Sequence, residues 1–408
     1  MLRSTGMALC LVCVGPAMAQ DFNEYPPNAA GQAPAFEGQT RAPLLTDEIA
    51  LETTTVVEGL EHPWGMAELP DGSWLVTERP GRLRMVSPEG ALSAPITGLP
   101  EIDPRGQGGL LDVVVNDDFP ETRRVWWSFA EPRAKWKSLI RGRNYAASRT
   151  AVATGTLSED GTAIENAEVI FRQDPAWHGN SHFGSRLVFD PEGALFVTTG
   201  DRSDPEASPL AQDPGTHIGK VLRLAPEGGP AAGNPEIEGG QPKVWSLGHR
   251  NLQAAALAPD GHLWTVEHGP QGGDELNRPE PGGNYGWPVI SYGQDYSGAP
   301  VGEGQTEAEA MEQPVYYWDP VIAPSGMAFY TGEMFPEWSG DALIGGLAGM
   351  ALVRLRLADG KVIGEARHLQ DIGRVRDVEV ASDGAIMLLI DDPEAPMIRV
   401  TRGNGDAS

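Results

Sequence analysis

One short unit recurs along this 408-residue chain and restricts its fold more than any other feature. An apolar run enters a turn ending in Asp-Gly or Glu-Gly, and a second apolar run leaves it. The clearest copies are Gly65–Thr77 around Pro70-Asp71-Gly72, Arg186–Thr198 around Pro191-Glu192-Gly193, Ala255–Val266 around Pro259-Asp260-Gly261, and Val378–Leu389 around Ser382-Asp383-Gly384. Such dipeptides between apolar runs are hairpin signals, because glycine accepts the positive φ that these turns require. The turn glycines stand at 72, 193, 261 and 384, so the outer two intervals are about twice the middle one. Weaker copies fill the gaps: Leu110–Val115 turning at Asn116-Asp117-Asp118, and Gly326–Tyr330 turning near Thr331-Gly332. Six equivalent units predict an all-β, six-bladed β-propeller with four-stranded antiparallel blades, since a sandwich has no need of six.

Closure supplies a check on this reading. The last unit shows only three strands, Val378–Val380, Ile386–Ile390 and Met397–Val400, while Ala50–Val57 is a strand without a unit. The N-terminal strand is expected to complete the C-terminal blade, which also removes an exposed edge.

Residues 1–19 read as an export signal: Arg3, an apolar run from Met7 to Val14, and Ala17-Met18-Ala19 as the cleavage site. The run is too short for a membrane-spanning helix, and no other stretch approaches the necessary length. Residues 20–46, rich in proline and without apolar periodicity, read as a flexible lead-in, and the propeller is assigned to 47–408. Both cysteines, Cys10 and Cys13, fall within the signal, so the expected periplasmic or secreted product holds together without disulfides. With 30 Lys+Arg against 57 Asp+Glu the chain repels polyanions, which argues against nucleic acid as a partner. One basic cluster, Arg133, Lys135, Lys137, Arg141, Arg143 and Arg149, reads as a solvated insertion.

In a propeller the residue preceding each inner strand lies at the mouth of the central channel. Here those positions hold His62, Gln107, His182, Arg250-Asn251, Ser325 and Arg374/Arg376. They are polar and largely cationic in an acidic chain, which suits an anionic ligand with carboxylates for the arginine forks. The residues after each second strand are Glu78-Arg79, Gly200-Asp201-Arg202, Glu267-His268-Gly269-Pro270 and Asp391-Asp392. Carboxylates and carbonyls beside glycine are ligands of a hard cation.

In order along the chain, the segments Gly106–Leu111, Ser181–Leu187, Gly219–Leu224, Leu247–Asn251, Glu267–Pro270 with Gly273-Asp274-Glu275, Gly283–Pro288 and Arg374–Asp377 resemble the pyrroloquinoline-quinone-dependent aldose sugar dehydrogenases, relatives of soluble glucose dehydrogenase. The resemblance implies a calcium- and quinone-dependent oxidation of the anomeric carbon of aldose sugars to lactones. It implies that His182 is the base, supported by Asp201, and that Gln107, Arg250, Asn251, Arg374 and Arg376 face cofactor and substrate. The carbonyls of Gly269 and Pro270 match ligands of the calcium that the quinone also binds, and Glu275 and Tyr285 match a second calcium site of some relatives. The chain departs from the pattern in one place: where relatives carry a lysine facing the quinone, it reads Leu347-Ala348-Gly349, and Arg202 is the expected replacement cation. Two other readings of the residues stay open, a calcium-dependent lactonase or esterase and a propeller that binds a sugar without turning it over. The electron acceptor, and the choice between monomer and dimer, are likewise open.

Overall fold

The computed structural model describes residues 21–46, 49–133 and 147–403. The leader, Asp47, most of the basic insertion and the C-terminal residues 404–408 lie outside the described residues.

Six antiparallel sheets surround one axis, and their inner strands form a ring: Pro63–Glu68, Leu110–Val114, Gly184–Phe189, Leu252–Leu257, Pro324–Phe329 and Val375–Val380. Blades 3, 4 and 5 have four strands each in chain order. Blade 2 has four, with a short extra pairing of Trp177–His178 against its third. Blade 1 has three strands, and only single bridges at Leu92 and Ile96 mark its fourth position. Blade 6 closes the ring as expected: Leu51–Leu60 pairs with Ala395–Arg402, in register from Leu51↔Arg402 through Thr53↔Val400 to Thr55↔Ile398.

The turn glycines behave as their chemistry requires. Gly72, Gly193, Gly261 and Gly384 have φ of 80, 80, 83 and 85°. Each donates its N–H to the carbonyl three residues back, a tight turn followed by a left-handed residue. The two weak copies turn differently. Asn116–Arg123 winds through a short helix, Phe119–Thr122. The fifth copy does not turn at Thr331-Gly332 alone but makes an excursion from Tyr330 to Asp341, filled by the stacked rings of Phe335 and Trp338.

Apolar packing lies between blades and not at the centre. One buried cluster joins Trp264, Leu276 and Trp318 of blade 4 to Phe329, Ile344 and Val353 of blade 5, and comparable clusters fill the other wedges. The tryptophans Trp126, Trp127, Trp264 and Trp318 all belong to these wedges. The axis is polar instead. Arg186 reaches Asp112 at 3.1 Å and Asp377 at 2.9 Å, tying blades 2, 3 and 6, and its guanidinium stacks 4.4 Å from the Trp64 ring of blade 1. The channel therefore has an ionic floor.

The lead-in is not a free arm over residues 21–46. Leu44 forms a parallel bridge with Glu365 on the outer strand of blade 5, the Gln39 carbonyl accepts from the Tyr317 N–H at 2.8 Å, and the Asp319 carboxylate accepts from the Asn28 and Ala29 N–H groups. Phe22 and Ala42 are buried there. Periodicity could not reveal this, because the anchors are isolated polar contacts spread over a proline-rich coil.

Candidate active site

The channel mouth holds a cavity of about 160 Å³ lined by Trp64, Arg79, Gln107, Asn251, Arg374, Arg376 and their neighbours. His182 and Arg250 flank it, immediately before the lining residues Phe183 and Asn251.

His182 enters blade 3 at φ 48°, in the left-handed region where a non-glycine residue is uncommon and often functional. Its N–H donates to the Gln107 side chain at 2.8 Å, which locks that entry. Its Nδ1 lies 2.6 Å from Asp201 Oδ1. Three further donors converge on Asp201: the Ser203 N–H at 2.8 Å on Oδ1, and Ser208 Oγ at 2.5 Å and Trp287 Nε1 at 2.8 Å on Oδ2. Burial alone would raise the Asp201 pKa, but the hydrogen bond from His182 and the other donors outweigh it and bring it to about 2. Burial is also the largest influence on His182 and lowers its pKa, against the pull of Asp201. A carboxylate that is always ionised and an imidazole kept neutral fix the tautomer: Nδ1 carries the hydrogen and Nε2 keeps its lone pair.

A second histidine–aspartate pair stands across the mouth. His62 has φ 46° and sits ahead of blade 1 as His182 sits ahead of blade 3; its Nδ1 is 2.9 Å from Asp391 Oδ1. Asp391 Oδ2 accepts from Arg376 at 2.9 Å, with Arg374 at 3.9 Å. Arg376 also donates to Gln253 Oε1 at 3.1 Å and to Ser325 Oγ at 3.2 Å.

Arg250 donates to the carbonyls of His268 at 2.9 Å and Gly269 at 2.7 Å. The Gly269 N–H is held by Asp274 Oδ1 at 2.9 Å. The Nε atoms of Arg250 and Arg376 are buried without a hydrogen-bond partner.

The structure thus gathers Gln107, His182, Asp201, Arg250, Asn251, Gly269, Arg374 and Arg376 around one mouth, with Pro270 adjoining Gly269. Glu275 and Tyr285 are not among the residues that line this cavity, and their side chains have partners of their own. The Glu275 carboxylate accepts from Asn277 at 3.1 Å, whereas the Tyr285 hydroxyl donates to the Arg278 carbonyl at 2.5 Å and accepts from the Glu280 N–H at 3.0 Å. Among the described residues no group of three or more His, Cys, Asp or Glu could hold a metal. Arg202, the expected replacement cation, does not line the cavity. The chain turns through positive φ at Arg202 and Ser203, 69 and 50°, and the guanidinium stacks 3.7 Å over Phe183 while donating to Ser148 Oγ and the Gly179 carbonyl, both at 3.1 Å. Burial lowers its pKa to about 9. The additional cavity cation is Arg79, already visible as a residue following a second strand. Sequence reasoning gave no role to Ser208 or Trp287; Trp287 stood within a recognised segment, whereas Ser208 carried no signal at all.

A propeller with an arginine-lined channel mouth beside a buried histidine–aspartate pair defines a class of ligand-binding propeller enzyme. The profile of the family "Glucose / Sorbosone dehydrogenase" matches residues 60–399. Aldose sugar dehydrogenase YliI of Escherichia coli K12 is 40% identical over 351 residues, 85% of this chain and 91% of that protein. A crystal structure of a glucose dehydrogenase is 44% identical with a TM-score of 0.81, covering 86% of this chain and 100% of that one. The pyrroloquinoline-quinone-bound aldose sugar dehydrogenase of Streptomyces coelicolor is 28% identical with a TM-score of 0.70, covering 87% and 100%. The chain belongs to the glucose/sorbosone dehydrogenase family and is an oxidoreductase.

Proposed function

We propose that the protein oxidises the anomeric carbon of aldose sugars to lactones with pyrroloquinoline quinone and calcium bound at the channel mouth. The observation that carries the reading is the 2.6 Å contact of His182 Nδ1 with the buried Asp201 carboxylate, set beside a cavity lined by Arg79, Arg374 and Arg376.

The residues present fit the cofactor. A planar polycarboxylate suits arginine forks, and buried guanidinium nitrogens without partners at Arg250 and Arg376 leave donors for it. Arg79, Arg374, Arg376, Gln107 and Asn251 would hold the quinone, and the carbonyls of Gly269 and Pro270 would serve calcium, for which carbonyl oxygens are suitable ligands. The Gly269 carbonyl already faces a cation, Arg250, a contact that a bound calcium would share or replace. When bound, the calcium-polarised quinone supplies the hydride acceptor. His182 Nε2 takes the proton of the anomeric hydroxyl; Asp201 stabilises the imidazolium that forms and holds the ring in place. The leader-like N-terminus supports a periplasmic or secreted location, and among the described residues no helix is long and apolar enough to cross a membrane.

The arginine-rich mouth favours this reading over a calcium-dependent hydrolase, which needs carboxylates converging on the metal. The test is titration of the purified apoprotein with pyrroloquinoline quinone and calcium, followed by absorbance and by a sugar-plus-dye assay with lactone identified as product. Lactone hydrolysis is measured in parallel. Absent quinone binding, or hydrolysis without dye reduction, sinks the proposal.

A further inference from the structure

Lys220, the first residue of the third strand of blade 3, is wholly buried, yet it lines no part of the channel cavity and makes no ion pair among the described residues. An ammonium in such a place is costly unless hydrogen-bonded. Its Nζ donates to three main-chain carbonyls, those of Leu210 at 2.9 Å, Ala211 at 2.9 Å and Ile218 at 2.6 Å. All three acceptors belong to the loop that joins the second and third strands of blade 3, residues 200–219, which also carries Asp201 near its start. The charge therefore staples the loop across its own span.

What the loop carries gives the staple a purpose. Its short helix, Ser208–Gln212, presents Ser208 Oγ to Asp201 Oδ2 at one end. At the other end Gln212 Nε2 donates to the Trp287 carbonyl at 2.8 Å, and the Gln212 and Asn284 amides pair with each other at 3.0 and 2.8 Å. Trp287 Nε1 is the second donor to Asp201 Oδ2. Both donors that fix the outer oxygen of Asp201 are thus mounted on, or braced by, the segment that Lys220 holds.

We infer that Lys220 is a positioning residue, whose ammonium, by clamping the carbonyls of Leu210, Ala211 and Ile218, aims Ser208 and Trp287 at Asp201 and so orients the His182 imidazole. The inference rests on the reading of His182 as the base.

Lys220→Met keeps the stem and removes the charge. In the quinone- and calcium-loaded enzyme kcat is expected to fall by up to about 10²-fold, the scale of a displacement remote from the reacting atoms, with KM little changed. A second readout needs no turnover. In ¹⁵N-histidine NMR spectra of the apoprotein, the wild-type His182 signal, assigned by its loss in His182→Ala, should be that of a single Nδ1–H tautomer. In Lys220→Met an Nε2–H population should appear, and the His182 titration should move to lower pH because the carboxylate that opposes burial has lost its aim. Ser208→Ala, a milder change in a part-buried position, should act in the same direction, and the double variant should be no worse than the worse single one. Restoration of the Lys220→Ala kcat by methylammonium would add support. The inference is overturned if folded Lys220→Met leaves the tautomer and kcat unchanged. It is also overturned if Lys220→Met only lowers the melting temperature while Ser208→Ala leaves His182 unmoved and the two effects add. Failure of the base reading looks different: His182→Ala would retain turnover although the NMR response to Lys220→Met persisted.

Discussion

Two histidine–aspartate pairs face the same channel mouth, entered through nearly the same backbone, φ 48° at His182 and 46° at His62. They differ in what surrounds the carboxylate. Asp201 is buried and accepts, besides the His182 contact, from a serine, an indole and a main-chain N–H, none of them a cation. Asp391 divides its charge between His62 and the guanidiniums of Arg376 and Arg374. Burial raises and Arg376, then His62, lower its pKa, to about 2. The His62 side chain is also 34% exposed against 9% for His182, so water competes for it. One geometry thus has two settings: neutral donors surround the carboxylate of the blade 3 pair, which suits the proposed base, while cationic partners make the other a brace for the arginines. A histidine–aspartate distance does not by itself identify a base.

The sharpest way to break the comparison is to exchange its members. His182→Ala should cost about 10²–10⁴-fold in kcat, the usual contribution of a general base, while quinone titration persists. His62→Ala should cost far less. Equal losses measured by dye reduction would erase the distinction.

The brace is tested next. Arg376→Gln leaves Asp391 with a weaker partner and removes a cavity cation, so quinone affinity should fall roughly 10- to 150-fold, the worth of one charge-assisted hydrogen bond. Absorbance titration measures it. Arg202→Met, by contrast, should lower stability and leave that affinity unchanged, since its guanidinium packs on Phe183.

The burial of two further histidines has a pH signature. Desolvation lowers His217 to about 4 and His268 to about 3, both below the ordinary value near 6.5. The unfolded chain then binds protons that the folded one refuses. The contribution of these histidines is complete above about pH 6.5 and is lost as pH falls through that value toward 4 and 3, by about 2 kcal/mol each near pH 5. Urea midpoints between neutral pH and pH 5 should show the slope, and His268→Gln, which keeps a donor for the Pro324 carbonyl, should flatten it.

The smallest effect belongs to the position where relatives carry lysine. Ala348 is exposed and lies outside the cavity lining, although its neighbour Leu347 lines it. A lysine there acts through solvent, and Ala348→Lys should tighten quinone binding by about 5-fold at most, with the gain fading in salt. A larger, salt-insensitive gain would mean that the side chain reaches the cavity.

The sequence by itself determined the blade count and the closure, because turn glycines at positive φ between apolar strands are local signals that recur in four units, at a spacing that leaves room for two more. It also determined which residues reach the mouth, since the chain re-enters the channel at the same point of each unit. That placed His182, Gln107, Asn251, Arg374 and Arg376 together without coordinates. Tertiary structure alone decided what those residues do to one another. Whether Asp201 is aimed by Ser208 and Trp287, and whether Arg202 packs on Phe183 while Arg79 lines the cavity, both depend on contacts between segments distant in sequence. Residue 287, for example, lies 86 positions from Asp201 yet donates to it at 2.8 Å. The docking of residues 21–46 on the outer strands of blades 4 and 5 belongs to the same class. Periodicity encodes which face of a strand is buried. It does not encode which loop, entering from another blade, completes a carboxylate's hydrogen bonds, and those bonds set the charge on which the chemistry depends.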